Sequence, residues 1–434
     1  MTTTNPATGQ SLHVGMLARV EGEGGMDIRI RDGVVESVAL NIFEPPRFYE
    51  AFLRGRRWTE PPDITARICG ICPVAYQSAA CAALESICGV AVPDHVRLMR
   101  RLLYCGEWIE SHTLHVYLLH APDFLGYDGA IEMAGDHPAV VERALRLKKA
   151  GNDLMALVGG RAVHPVNVKV GGFYRLPTWE EMSAFRPTLQ RAFEDALETV
   201  RLVATFDFPD FEQDVDYLAL RSRHGYSIES GDPVTTGGLS FPVADFPRHI
   251  SEHHVAHSNA LHALLDGKPY LVGPLARYTL NFDQLSTTSQ DAARQAGLGP
   301  TCRNPYQSIV VRAVEIVYAV EEALSIIDGW SGQPEASVPV PPRAGEGMGA
   351  SEAPRGTIFH RYVLDDEGII RDAQIVPPTS QNQPSVERDL QRAAQAWVDM
   401  DDEALTHRCE QTIRNYDPCI SCATHFLDLR VDRS

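Results

Sequence analysis

Arg67-Ile68-Cys69-Gly70-Ile71-Cys72-Pro73 and Asp417-Pro418-Cys419-Ile420-Ser421-Cys422-Ala423-Thr424-His425 place one Cys-x-x-Cys step near each end of the chain. Such a step brings two sulfurs close enough to chelate one ion, and two steps supply four thiolates, a soft donor set. If both steps serve one site, the chain between them must fold back on itself. That favours one large domain over residues 1–434 rather than separable units. The residues alone leave two readings open, a structural four-cysteine zinc site and a soft-metal reaction centre. Zinc knuckles staple short segments that cannot fold alone, whereas these pairs flank almost the whole sequence. A thioredoxin-like redox role fits poorly, since neither pair follows a βαβ pattern.

The chain has 434 residues, 44% of them apolar and 22% charged, the balance of a globular protein with ample material for a core. Its formal net charge of −18 repels phosphate backbones, which argues against nucleic acid as a partner. No apolar run is long enough to span a membrane, and Met1 to Gln10 lacks the basic start and apolar stretch of a secretory signal. A cytoplasmic location is expected. The five cysteines outside the paired steps, such as Cys81 in SAACAAL, read as small core residues.

The pattern between the motifs is mainly helical. Residues 303–330 carry one wide apolar stripe (Tyr306, Ile309, Val310, Ala313, Ile316, Val317, Val320, Leu324), and 94–120 repeat the spacing more loosely. Further helices are expected near 137–159, 179–207, 284–297, 385–399 and 401–414. Strands are expected in 11–42, with a turn at Asp32-Gly33, and in TIFHRYVL and IIRDAQIV around a turn at 365–368. The Gly- and Pro-rich stretch 330–356 reads as a linker or a functional loop, not regular structure throughout. His112 and His115 share a helix at metal-compatible spacing, but packing in the helix core is the preferred reading. The fold class expected is mainly α, a helical-bundle body with small peripheral β hairpins.

With both cysteine motifs read, the sequence resembles the large, catalytic subunits of nickel-iron hydrogenases. The resemblance covers nearly the whole chain, through RVEGEG at 19–24, RICGICP at 67–73, HPVNVKVGG at 164–172, EAPRG at 352–356, VPPTSQN at 376–382 and DPCISCATH at 417–425. It implies reversible heterolytic cleavage of H2 at a nickel–iron centre whose iron carries carbon monoxide and cyanide. Cys69 and Cys419 would be terminal nickel ligands, and Cys72 and Cys422 would bridge nickel to iron. Glu21 would take the proton from a terminal thiolate. Arg355 would sit above the metals, while Pro378, Thr379 and Asp417 would line the shell that holds the iron's diatomic ligands. Glu50 and His425 would hold a magnesium-type ion, joined by a backbone carbonyl within 371–375.

The resemblance also implies partners: a small subunit carrying iron–sulfur clusters, a nickel-insertion apparatus and a maturation protease. The protease is implied because residues 426–434 match a tail that is removed in many members. Tyr76, Ser111 and Glu23 depart from the periplasmic uptake enzymes and, with VPPTSQN, resemble the cytoplasmic bidirectional group, the sulfhydrogenase type. Those members work with NAD(P) or a deazaflavin through separate electron-transfer subunits, and the NADP-linked type, with FAD- and NAD(P)-binding partners, is expected here. This chain offers no dinucleotide fingerprint of its own, because RVEGEGG lacks the following helix. A related non-enzymatic subunit of respiratory complexes shares the fold but lacks the cysteine pairs, and all four cysteines are present here. Metal analysis separates the readings: nickel and iron in equal amounts, with infrared bands from iron-bound carbon monoxide and cyanide, are expected. Zinc alone without those bands would overturn the expectation.

Overall fold

The computed structural model describes residues 9–333 and 335–424; His425 and the tail 426–434 lie outside them. Alternation of apolar residues builds the N-terminal sheet. Strand β2 (Gly24–Arg31) buries Met26, Ile28 and Ile30 and pairs antiparallel with β1 (Gly9–Val14) and β3 (Val34–Ile42). Asp32 and Gly33 both take left-handed backbone between β2 and β3, the geometry of the tight hairpin read from the sequence.

Helix α1 (Pro73–Cys88) begins immediately after the first cysteine pair, with a proline at its first position, where no amide partner is needed. The helical body follows: α2 (Asp94–Thr113), α3 (Pro138–Gly159), α4 (Trp179–Val203) and α5 (Ser308–Asp328). Helix α2 packs on α3 and α5, and α5 packs on α4. Thr178 and Glu181 form a reciprocal capping box that fixes the start of α4. Between α4 and α5 lies an antiparallel hairpin, β4 (Ile250–Val255) with β5 (Ser258–Leu265), for which the sequence carried no expectation. One continuous apolar core draws residues from Leu12 to Ala423.

The linker-like stretch 330–356 contains a nine-residue strand, β6 (Gly345–Ala353), paired with β7 (Gly356–Leu364), which in turn pairs with β8 (Ile370–Val376). The glycines are there for close approach rather than flexibility. A Cβ on Gly347 would lie 2.6 Å from the Ala83 carbonyl, and one on Gly349 would lie 2.5 Å from that of Ala79. Strand β6 thus lies flat on the alanine-rich face of α1. The expected helix at 385–399 also starts earlier. Helix α6 runs Pro378–Ala396, takes Pro378 at its first position and accommodates Pro384 inside, where the sequence suggested a break. Helices α7 (Asp402–Arg414) and α8 (Ile420–Ala423) follow toward the end of the described residues. The mainly α class with small sheets is the observed one, and no described helix is long and apolar enough to cross a membrane.

Asp123 ties the ends of the chain to this body. Its fully buried carboxylate receives Arg19 at 2.5 Å, Arg414 at 2.8 and 2.9 Å, and His120 at 3.1 Å. Arg19 opens the RVEGEG motif, and Arg414 closes α7 three residues before Asp417. Burial opposes ionisation, yet hydrogen bonding from His120 and the charge of Arg414 hold the carboxyl well below the usual range. A depressed carboxyl stabilises the fold fully above its unfolded value, about 3.9, and loses that contribution as pH falls toward its folded value. Asp123→Asn should therefore cost about 3 kcal/mol in denaturant unfolding at neutral pH, because buried Arg414 and part-buried Arg19 lose the carboxylate they share. The difference from wild type should shrink below about pH 4. An unchanged unfolding midpoint at pH 7 would refute the role.

Candidate metal centre

The two cysteine motifs meet. Cys69 Sγ lies 3.4 Å from Cys419 Sγ, Cys72 Sγ lies 3.6 Å from Cys422 Sγ, and the Cys419 and Cys422 sulfurs are 2.8 Å apart. All four are buried free cysteines, and their sulfurs fall within 4.8 Å of one another. First pairs with first and second with second. Burial pushes the Cys419 and Cys422 thiols up, while hydrogen bonds from Cys419, Cys422 and Cys72 hold the Cys69 thiol well below its usual range. Such a set cannot ionise fully without bound cations, and it fits soft metal ions.

Backbone pairing fixes the second motif. Glu21 and Cys419 form a parallel β-bridge, with the Ile420 amide donating to the Glu21 carbonyl at 2.9 Å. Arg47 donates to the Ile68 carbonyl at 2.6 Å and to the Ser421 carbonyl, bracing both cysteine loops from outside. The Glu21 carboxylate accepts from the Ser421 amide at 3.1 Å and faces Cys419. Burial, then the charge of Cys69, raises its pKa. Thr379 Oγ1 accepts from the Cys419 amide at 3.1 Å, so the positive N-terminal end of α6, begun by Pro378, adjoins the sulfur cluster.

Arg355 is 2% exposed and caps the cluster. Its Nε donates to the Asp417 carbonyl at 2.8 Å and Nη2 to Asp417 Oδ1 at 3.0 Å. Nη1 of Arg355 and Oδ2 of Asp417 are buried without hydrogen-bond partners, which leaves room for a bound group to engage them. Arg277, wholly buried, shapes this turn by donating to the Ala353 and Pro354 carbonyls at 2.7 and 2.8 Å. Its charge is balanced by Glu315 and Glu352. Gly356 and Gly273 allow the turn to press on Val272: a Cβ on Gly356 would lie 2.8 Å from the Gly273 amide. Asn382 then grips both the amide and the carbonyl of Val272, tying the VPPTSQN segment to the residue on which that turn presses.

Tyr76 is buried with its hydroxyl toward Cys422. Ser111 is buried with an unpartnered hydroxyl. His112 and His115 share no ligand position: His112 bonds Glu315 at 2.8 Å, and His115 takes the Arg414 carbonyl at 2.8 Å and the Arg312 Nε at 3.1 Å. The HPVN motif lies against the first cysteine loop, where His164 bonds the Ala66 carbonyl at 2.6 Å and a Cβ on Gly70 would lie 3.8 Å from Val163.

Glu50 is brought to the expected segment, accepting from the Ile375 amide at 2.7 Å. Its carboxyl is pushed up to about 7, by burial first. Glu252 is pushed up to about 8, by burial and then by the charge of Glu50. Two half-buried carboxylates that resist ionising together suit a hard divalent cation. Sequence reasoning missed Glu252, which lies in a hairpin without a motif. It also missed Glu107, whose buried carboxylate accepts the Val74 and Ala75 amides at 2.6 and 3.2 Å and so caps α1 just after Cys72.

Comparison with known proteins agrees with this geometry. The family model described as nickel-dependent hydrogenase matches residues 47–140 and 256–425. The alpha chain of sulfhydrogenase 1 from Pyrococcus furiosus is 34% identical, over 95% of this chain and 97% of its own. The corresponding chain of an F420-non-reducing hydrogenase from Methanothermobacter marburgensis is 30% identical, over 95% and 94%. The crystal structure of an NAD+-reducing [NiFe]-hydrogenase in the H2-reduced state superimposes with a TM-score of 0.89 at 26% identity, covering 96% of this chain and all of the other. The [NiFeSe] hydrogenase of Desulfovibrio vulgaris Hildenborough shares the fold, with a TM-score of 0.79 at 24% identity over 97% of this chain and all of its own. With its four buried sulfurs gathered from both ends, this chain belongs to the nickel-dependent hydrogenases, an enzyme family of H2 cleavage built on a nickel–iron centre.

Proposed function

We propose that this chain is the catalytic subunit of an NAD(P)-linked hydrogenase, with Cys69 and Cys419 as terminal nickel ligands and Cys72 and Cys422 as bridges to iron. The observation that carries the reading is the pairing of sulfurs, first with first and second with second, inside a buried cluster. When bound, the nickel–iron pair supplies an open coordination position and the redox capacity for splitting H2. The chain's own groups then manage protons and charge. The Cys419 thiolate accepts the proton, and the Glu21 carboxyl facing it receives that proton and hands it outward. The raised pKa of Glu21 suits a group that must hold a proton briefly. Arg355, with Nη1 unpartnered, would hold the iron's anionic ligands by donating hydrogen bonds and positive charge to them, with Asp417, Pro378 and Thr379 lining the same shell. Membership in the family supports carbon monoxide and cyanide as the iron's ligands.

Glu50, Glu252 and the Ile375 segment would hold a magnesium-type ion through oxygen. His425, outside the described residues, completes the expected ligands. We read residues 1–434 as one domain in a cytoplasmic complex, with 426–434 removed on maturation by a dedicated protease after nickel insertion. Phe48, Phe52, Val163 and Val166 are exposed on the segments beside the cysteine loops. An iron–sulfur small subunit seated there would collect the electrons and pass them to FAD- and NAD(P)-binding subunits. The NAD(P) assignment is supported by the relatives' own descriptions as sulfhydrogenase and NAD+-reducing hydrogenase.

Cys419→Ser should abolish H2 uptake by the purified complex while circular dichroism stays that of wild type; retained turnover would remove Cys419 from the ligand set. Glu21→Gln should lower turnover by about 10²-fold or more with unchanged infrared bands, since only the proton route is cut. Turnover within a factor of about two of wild type would discard that route. Assays of the intact complex under H2 with NADP, NAD and a deazaflavin decide the acceptor.

A further inference from the structure

The β4–β5 hairpin concentrates imidazoles that the hydrogenase reading does not use. His253, His257 and His262 lie on it, and rings of His257 and His253 stand 5.7 and 5.9 Å from that of His262. Across from them, α6 presents Glu387. His257 Nε2 lies 2.6 Å from Glu387 Oε1, which also accepts the Leu40 amide at 3.0 Å, so the carboxylate is already oriented. One ligand atom each from His257, His262 and Glu387 fall within 4.8 Å of one another.

His262 supplies the second, independent observation. It is only 3% exposed, and its Nε2 is buried with no hydrogen-bond partner. A buried imidazole nitrogen left unpaired costs about 1–3 kcal/mol unless something binds it. Burial, then the neighbouring His257 and His253, lowers its pKa to about 4, so at neutral pH the ring is unprotonated and offers a lone pair. Among the described residues, nothing on the main chain or a neighbouring side chain takes that lone pair.

We propose that His257, His262 and Glu387 form a second metal site, separate from the cysteine cluster, for a divalent ion of the zinc class. Two imidazoles and one carboxylate are the donors such an ion accepts, with a fourth position left for water. A magnesium-like ion is disfavoured by the nitrogen donors, and a thiolate-seeking ion finds no sulfur in the set. The ion reaches the site from solvent past His257, whose side chain is 34% exposed. On binding, the ion takes the place of the hydrogen between His257 Nε2 and Glu387 Oε1, and His257 coordinates as the neutral ring that keeps its one proton on Nδ1. The two atoms then separate to about 3.3 Å, the span of tetrahedral ligands on zinc. The ion joins the hairpin to α6, the helix whose first turn carries Thr379 beside Cys419. It acts as a clasp, and no part of H2 chemistry passes through it.

The test uses the purified complex, dialysed against chelator, incubated with zinc chloride and passed through a desalting column before elemental analysis. Wild type should retain one zinc equivalent above its nickel and iron, and X-ray absorption should show nitrogen and oxygen neighbours without sulfur. His262→Gln should lose that equivalent, and so should His257→Gln, an exposed position where folding is not at stake. Hydrogen turnover should persist in both variants. No retained zinc in wild type, zinc bound through sulfur, or zinc retained in both variants would each overturn the site.

Discussion

Everything in this fold answers to one constraint: sulfurs 350 positions apart in the chain must sit within bonding reach of common ions. Closing a loop of that length costs about 5 kcal/mol of chain entropy beyond a constant, and the cost grows only slowly with length. The helical body can therefore be large at little extra cost, provided its two ends are pinned. The pins are specific. Glu21 pairs by backbone with Cys419, Arg47 bridges the two cysteine loops, and Asp123 gathers Arg19 and Arg414 from the flanking motifs.

Buried charge does much of this positioning, which is unusual material for a core. Arg277, Glu315 and Glu352 are fully buried and fully paired, and through them the Ala353–Pro354 carbonyls and hence Arg355 are set. Replacing such a network with apolar residues is often neutral for stability, whereas removing one member leaves an uncompensated charge. Its benefit here is orientation. Arg355 keeps one nitrogen unsatisfied beside the cysteine cluster while the other two are committed to Asp417.

Much of the scaffold was legible beforehand, for reasons that can be named. The stripe of α5 and the Asp32-Gly33 hairpin follow from periodicity and turn chemistry, which act over a few residues. Strand β6 was not legible, since GEGMGASEA lacks alternation and its glycines make sense only once α1 lies against it. Pro384 misled the boundary of α6 because a proline inside a helix is read locally as a stop. At the site, motif residues such as Cys69, Glu21 and Arg355 were found through the pattern of the whole set. Glu107 and Glu252 act through partners distant in sequence and sit in no motif.

The sequence by itself determined the donor chemistry: which residues carry sulfur, which carry carboxylates, and that the cysteine pairs stand at the two ends. It also determined the helices and tight turns, whose interactions close within a few positions. Only the tertiary structure decided which sulfur faces which, that Arg355 keeps one nitrogen free, and that Glu252 stands near Glu50. It also set His257, His262 and Glu387 around one point. The physical reason is range. Backbone geometry and periodicity are set by neighbours in the chain, whereas burial, ionisation and ligand geometry depend on groups that only the folded core brings together.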